Sequence, residues 1–188
     1  ERNVGLPLAY IPRTLHKLVA RRIPLNGEEP RPIDLLRRTD VVVRSSGSLS
    51  HVYFNVSPNR MNISEIASLY PNLISGLAAH PGIWLVVGRE DDQVIVMSRD
   101  GVLTLDGNPV NTIEGSNPLS RLPAPWLAAM QLERLARFAH AGDLIVLGDY
   151  DHESGTLVCF EQQWACHGGL GGPQEVAFMA LPASVGWS

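Results

Sequence analysis

The apolar positions come in short runs whose period changes along the chain. Asp40-Val-Val-Val-Arg44 and His51-Val-Tyr-Phe-Asn-Val56 are β-branched and aromatic, which predicts two strands, the first buried, around the turn SSGSLS. The period then becomes helical through Ile63, Ile66, Ala67, Tyr70, Ile74 and Leu77. Asn62 stands as N-cap with Glu65 at the N3 position of a capping box. Pro71 has no N–H to donate and should split this stretch into two short helices. After the turn HPG, Ile83 to Val87 and Val94 to Met97 read as strands joined by REDDQ, an antiparallel hairpin. Val102 to Leu105 extends the meander, with Asp100-Gly101 and Asp106-Gly107 expected to supply positive φ. Residues 107 to 122 read as irregular.

Pro125 opens a predicted helix that runs to about His140 and stops at Gly142. Trp126, Met130, Leu135 and Phe138 are its expected buried positions, and Glu133, Arg134 and Arg137 its outward ones. Asp143 to Gly148 reads as a core strand, DYDHESG as an exposed turn, Thr156 to Phe160 as a strand and Val176 to Leu181 as a last buried strand. Ahead of these lie Pro7, Pro12, Pro24, Pro30 and Pro32, with a short helix between Pro12 and Pro24 carrying Leu15, Leu18 and Val19 on one face. The chain divides on this reading into an N-terminal helix and Pro-rich linker, 1–39, and an α/β domain, 40–188. The succession of strand, helix, hairpin, helix and strand predicts a layered α/β fold. It should have a mixed sheet, flanking helices and a small antiparallel hairpin and meander.

Composition narrows the classes. With 45% apolar and 18% charged residues among 188, the chain reads as a folded globular piece. A net charge of −4 does not suggest a nucleic-acid partner. The basic residues Arg13, Lys17, Arg21 and Arg22, followed by Arg37 and Arg38, read mainly as the solvated side of the N-terminal helix, with an anionic partner surface as the competing reading. No apolar run approaches the roughly 20 residues needed to span a bilayer, and the first residues carry no signal-peptide pattern. The expectation is a soluble chain without a membrane span. A start at Glu1 suggests a processed chain or a piece of a longer one.

Most chemistry-bearing residues read as structural. Cys159 and Cys166 lack both disulfide-scaffold and zinc-ribbon spacing. Asp149, Asp151 and His152 allow a metal site to be drawn, but solvated hairpin residues describe them better. His51 reads as a satisfied, partly buried histidine; His16, His80 and His140 sit at helix or turn positions; Asn55 is a weak candidate to face a ligand. There is no nucleophile elbow, phosphate loop, paired-carboxylate constellation or CxxC.

The exception is WACHGGLGGPQEVAFMALP, where His167 precedes Gly168 and Gly169 between strand-like flanks. Glycine lets another group approach the backbone closely, and an imidazole there suits a metal ion through one nitrogen. A histidine that only hydrogen-bonds within a tight turn is the competing reading.

GDLIVLGDYDHESGTLVCFEQQWACHGGLGGPQEVAFMALP resembles the C-terminal end of the alkaline phosphatase superfamily, and more narrowly its type I phosphodiesterase/nucleotide pyrophosphatase branch. VVVRSSGSLSHVYFNV and ISEIASLYPNLISGLAAHPGIWLVVGREDDQVIVMSRDGVLTL resemble the preceding stretches, so the likeness covers roughly residues 40 to 182. It implies the C-terminal part of the superfamily's αβα fold, with His167 as the last ligand of a site for two divalent metal ions, typically zinc, about 4 Å apart. Gly168 and Gly169 would let the loop pass that site. The family's nucleophile and other ligands lie upstream of the matching region. The implied picture is the C-terminal portion of a metal-dependent phosphodiesterase or phosphatase-like hydrolase, inactive alone and holding no tightly bound metal of its own. Its partners would be the N-terminal remainder of the same polypeptide and a phosphoester substrate. The alternative is a non-catalytic interaction or regulatory module that keeps part of the fold.

Overall fold

A computed structural model describes residues 40–107, 112–151, 153–162, 169–170, 178–182 and 184–185. The predicted helix between Pro12 and Pro24, the Pro-rich linker, Cys166, His167 and Gly168 lie outside the described residues.

The fold is α/β. Seven strands form one sheet: β1 (Val41–Ser46), β2 (Leu49–Phe54), β3 (Ile83–Glu90), β4 (Gln93–Met97), β5 (Gly101–Leu105), β6 (Thr112–Gly115) and β7 (Leu144–Gly148). Their spatial order is β1-β2-β7-β3-β4-β5-β6. Every described pairing is antiparallel, which corrects the expected mixed sheet. The physical reason is connectivity: tight hairpins link β1 to β2 and β3 to β4 to β5, and β7 enters between β2 and β3 against the direction of both. A separate two-stranded ribbon pairs β8 (Tyr150–Asp151) with β9 (Thr156–Leu157).

Helices cover both faces. On one, α1 (Ile63–Leu69) and α2 (Leu73–Ala79) bury Ile66, Leu77 and Ala78 against Phe54, Ile83, Val86, Leu144 and Val146. The break between them falls where Pro71 predicted it, with Asn72 in the left-handed region at φ 70°. The Asn62 N–H donates to Glu65 Oε2 at 2.7 Å, as the capping signature requires. On the other face, α3 (Pro125–Ala136) lies over Leu85, Val87, Val94, Val96, Leu103 and Leu105. The central strands β3 and β7 are buried on both sides, which explains their continuous apolar runs. A fully buried Val or Leu contributes about 1.5–3 kcal/mol, so this double-faced block is the main source of stability.

Several expectations need correction. The stretch Asp40 to Arg44 is not a buried strand: β1 is an edge, paired only with β2, and Val43 is 45% exposed. Residues 107 to 122 are not wholly irregular, since β6 lies among them. Of the two Asp-Gly pairs, Gly107 has the expected positive φ of 81°, whereas Gly101 is part of β5 and does not. The helix opened by Pro125 ends at Ala136, where the Arg137 N–H turns back to Glu133 and Arg134. Gly142 instead sits where β7 meets β2, and a Cβ there would lie 2.8 Å from Val52 backbone atoms. Of the strand expected over Thr156 to Phe160, only Thr156 and Leu157 pair as one. Of the last strand expected over Val176 to Leu181, Val176 and Ala177 lie outside the described residues, while Phe178, Met179 and Leu181 form no strand and are 94%, 72% and 45% exposed. A further core strand has no place beside β7, because β2 and β3 already occupy both of its edges.

The orientation of α3 also differs from expectation. Ala128, Ala129, Leu132 and Ala136 face the sheet and Leu135 packs beside them, whereas Trp126, Met130 and Phe138 are exposed. Small residues let the helix lie close to β3, which the apolar count alone does not convey.

Candidate functional site

Antiparallel order gathers several loops at one end of the sheet. The end of β7, the start of β3, the β1–β2 turn, the β4–β5 turn and the end of β6 all meet there. A cleft of about 320 Å³ opens at this end, lined in part by Ser98, Arg99, Asp100, Ser116, Arg121 and Asp149.

Trp84 also lines the cleft and is buried. β3 is bulged: Ile83 pairs with Gly148 and Leu85 with Leu147, leaving Trp84 as the extra residue. The bulge turns Trp84 and Leu85 to the same, α3-covered face. The Trp84 indole N–H donates to the Pro118 carbonyl at 3.2 Å. Leu119 and Leu122 bury themselves beneath α3, and Asn117 Oδ1 accepts the Leu119 N–H at 2.9 Å. That turn carries Arg121 back over the indole, its guanidinium carbon 3.7 Å from the ring centroid. Arg121 Nη2 also lies 2.6 Å from Asp149 Oδ1. Asp149 is fixed as well: its N–H donates to Gly82 O at 3.1 Å, and its Oδ1 accepts the Tyr150 N–H at 2.9 Å. The site therefore presents a braced cation, a braced carboxylate and serine hydroxyls. It can hold a polar ligand by hydrogen bonds and charge.

The segment leading toward the histidine motif is tied to the same end. The Val158 N–H donates to Asp149 O at 2.9 Å and the Phe160 N–H to Gly47 O at 2.9 Å. Glu161 Oε1 accepts the Gly47 N–H at 2.7 Å, and the Gly148 N–H donates to Ser48 O at 2.7 Å. Gly148 is needed for this approach, because a Cβ there would fall on the Val158 carbonyl oxygen. Within the motif, Gly169 is half-buried and Leu170 packs against the α3-side core.

The other sequence candidates divide. Asp149 is not a freely solvated hairpin residue but half of the Arg121 ion pair; Asp151 is exposed in the ribbon, with Ser154 Oγ 2.6 Å from its Oδ2; His152 lies outside the described residues. His51 is partly buried and satisfied as read, its Nδ1 accepting the Gly142 N–H at 2.9 Å. Burial, with the nearby Arg60 cation second, lowers its pKa from the ordinary 6.5. His80 Nδ1 accepts the Gly82 N–H at 3.0 Å. Asn55 is exposed beyond the last residue of β2, at the end of the sheet opposite Gly47. Cys159 is exposed.

Trp84, Arg121 and Ser116 were missed by sequence reasoning. A bulge leaves no local signature in an apolar strand, and the Trp84–Arg121 contact joins distant segments. Among the described residues no three His, Cys, Asp or Glu side chains converge as metal ligands, so these residues do not by themselves build a zinc site.

Compared with protein-family models, curated proteins and solved structures, the chain gives no match in any of the three. No helix among the described residues is long and apolar enough to cross a membrane.

Proposed function

We propose that this chain is the C-terminal part of a metal-dependent phosphodiesterase or phosphatase-like hydrolase, contributing His167 as one metal ligand. The observation that carries the reading is the clamp on the segment before the motif. Bonds at Asp149, Gly47 and Glu161 hold this segment to the sheet end that also bears the Arg121 cleft. A ligand histidine needs a rigidly held approach, and HGGLGG follows the clamp closely in sequence. Arg121 supplies a cation at that end for an anionic substrate group. The remaining ligands and the nucleophile would come from other polypeptide, and Gly168 and Gly169 would leave room for the ion against the backbone.

The second reading, a non-catalytic module, draws on the ion pair itself. Arg121 is already neutralised by Asp149, as in a structural brace. Hydrolysis of bis(p-nitrophenyl) phosphate in the presence of zinc tests the proposal on the isolated chain. No turnover above the zinc-buffer background is expected. Robust turnover that survives His167→Ala contradicts it.

A further inference from the structure

The charges along the cleft cancel. It is lined by Arg99 and Arg121 and by Asp100 and Asp149, two cations against two carboxylates. The fold does not consume all of their polar atoms. Arg99 gives Nη2 to the Ala79 carbonyl at 2.9 Å and pairs with no carboxylate among the described residues. Asp149 takes both Arg121 Nη2 and the Tyr150 N–H on Oδ1, which leaves Oδ2 as an acceptor among the described residues. Ser116 and Ser120 line the same cleft and are exposed. Trp84 is 7% exposed and carries the Arg121 guanidinium over its ring, so it offers no open aromatic face.

We propose that the cleft binds a polyhydroxylated ring, one sugar or one cyclic polyol. A hydroxyl both donates and accepts, so it satisfies a guanidinium, a carboxylate and a serine hydroxyl alike. Phosphate is mainly an acceptor, and a bare phosphate would meet two carboxylates beside the two guanidiniums. A nucleobase calls for an uncovered aromatic platform, which Trp84 does not provide. An acyl chain calls for apolar walls, and most of this lining is polar. The volume of about 320 Å³ lies at the low end of ligand sites, roughly 300–1,000 Å³, which suits one ring rather than a chain of them. The inference deepens the proposed function and rests on it only for the phosphoester that such a ring would carry, whose charged group Arg121 would meet.

The test is an amide NMR titration of the full chain, without zinc, against methyl α-D-glucopyranoside, methyl α-D-galactopyranoside and myo-inositol. Inorganic phosphate, adenosine and glycine are titrated in parallel. Saturable millimolar shifts at residues 98–100 and 116–121 are expected with at least one ring compound, and about tenfold weaker binding of the other three probes. Ser116→Ala/Ser120→Ala should weaken ring binding about tenfold, the factor that two lost hydrogen bonds supply. Asp100→Ala should weaken it as well. All three positions are exposed, and thermal melts of the variants check that the fold is kept. No saturable shift with any ring compound overturns the proposal, as does unchanged ring binding by the variants. Tighter binding of phosphate, adenosine or glycine at the same amides gives the cleft to a charged or planar ligand and overturns it too. None of these readouts involves zinc or turnover, so the proposal can fail while the metal-site reading stands.

Discussion

Arg121 Nη2 stands 2.6 Å from Asp149 Oδ1 while the same guanidinium stacks on Trp84, so one side chain ties the 116–122 turn to both β3 and the end of β7. Both partners are about a third exposed (32% and 35%), so solvent screens the pair and keeps its Coulomb contribution small. Arg121→Ala should lose about 1–2 kcal/mol in urea denaturation, from stacking and pairing together. Asp149→Asn should lose under about 1 kcal/mol, because an amide oxygen still accepts the Tyr150 N–H. If Asp149→Asn proves the more damaging, stacking on Trp84 is not the main brace.

Among the described residues, Asp143 is the buried carboxylate. It is 7% exposed and accepts the Phe54 N–H and the Met61 N–H, each at 2.7 Å. Asp143→Ala would strand two buried donors, at a cost of about 2–5 kcal/mol in chemical denaturation. Asp143→Asn keeps one oxygen acceptor and should cost less.

His51 should make stability pH-dependent. Its folded pKa lies below the unfolded value of 6.5, so below about pH 6.5 the unfolded chain binds the proton more readily. The stabilisation is full above 6.5 and is lost as pH falls through 6.5 toward the folded pKa. Protonation of Nδ1 would also remove the acceptor for the Gly142 N–H. Denaturation midpoints between pH 7.5 and 5 should fall in the wild type and fall less in His51→Gln. A parallel fall in both would exclude His51 as the source.

Gly148→Ala should lift the 158–161 segment from the sheet end, since its methyl would meet the Val158 carbonyl. A loss of about 1–3 kcal/mol is expected from overpacking. Hydrogen exchange should show lost protection of the Val158 and Phe160 amides while the β3 amides stay protected.

Local chemistry made much of the fold legible. The capping pair Asn62 and Glu65, Pro71 and the REDDQ turn act through neighbours in sequence, and each marked its helix or hairpin. The sheet's order was not legible, because the insertion of β7 between β2 and β3 depends on contacts far apart in the chain. The face of α3 was misread for a related reason. Periodicity finds an apolar stripe but does not distinguish a stripe that packs from one that is displayed, and here alanines do the packing. Of the site, the turn bearing Asp149 was visible, but the Trp84 bulge and its partner Arg121 were not. His167 and Gly168 rest on the family resemblance and residue chemistry alone, while Gly169 lies half-buried beside Leu170.

The most direct test of the central claim is the zinc content, by plasma mass spectrometry, of the protein from the whole open reading frame that contains this chain, compared with its His167→Ala variant. The account predicts bound zinc in the wild type and about one ion fewer per chain in the variant. Equal zinc in both proteins, or none in either, would contradict it.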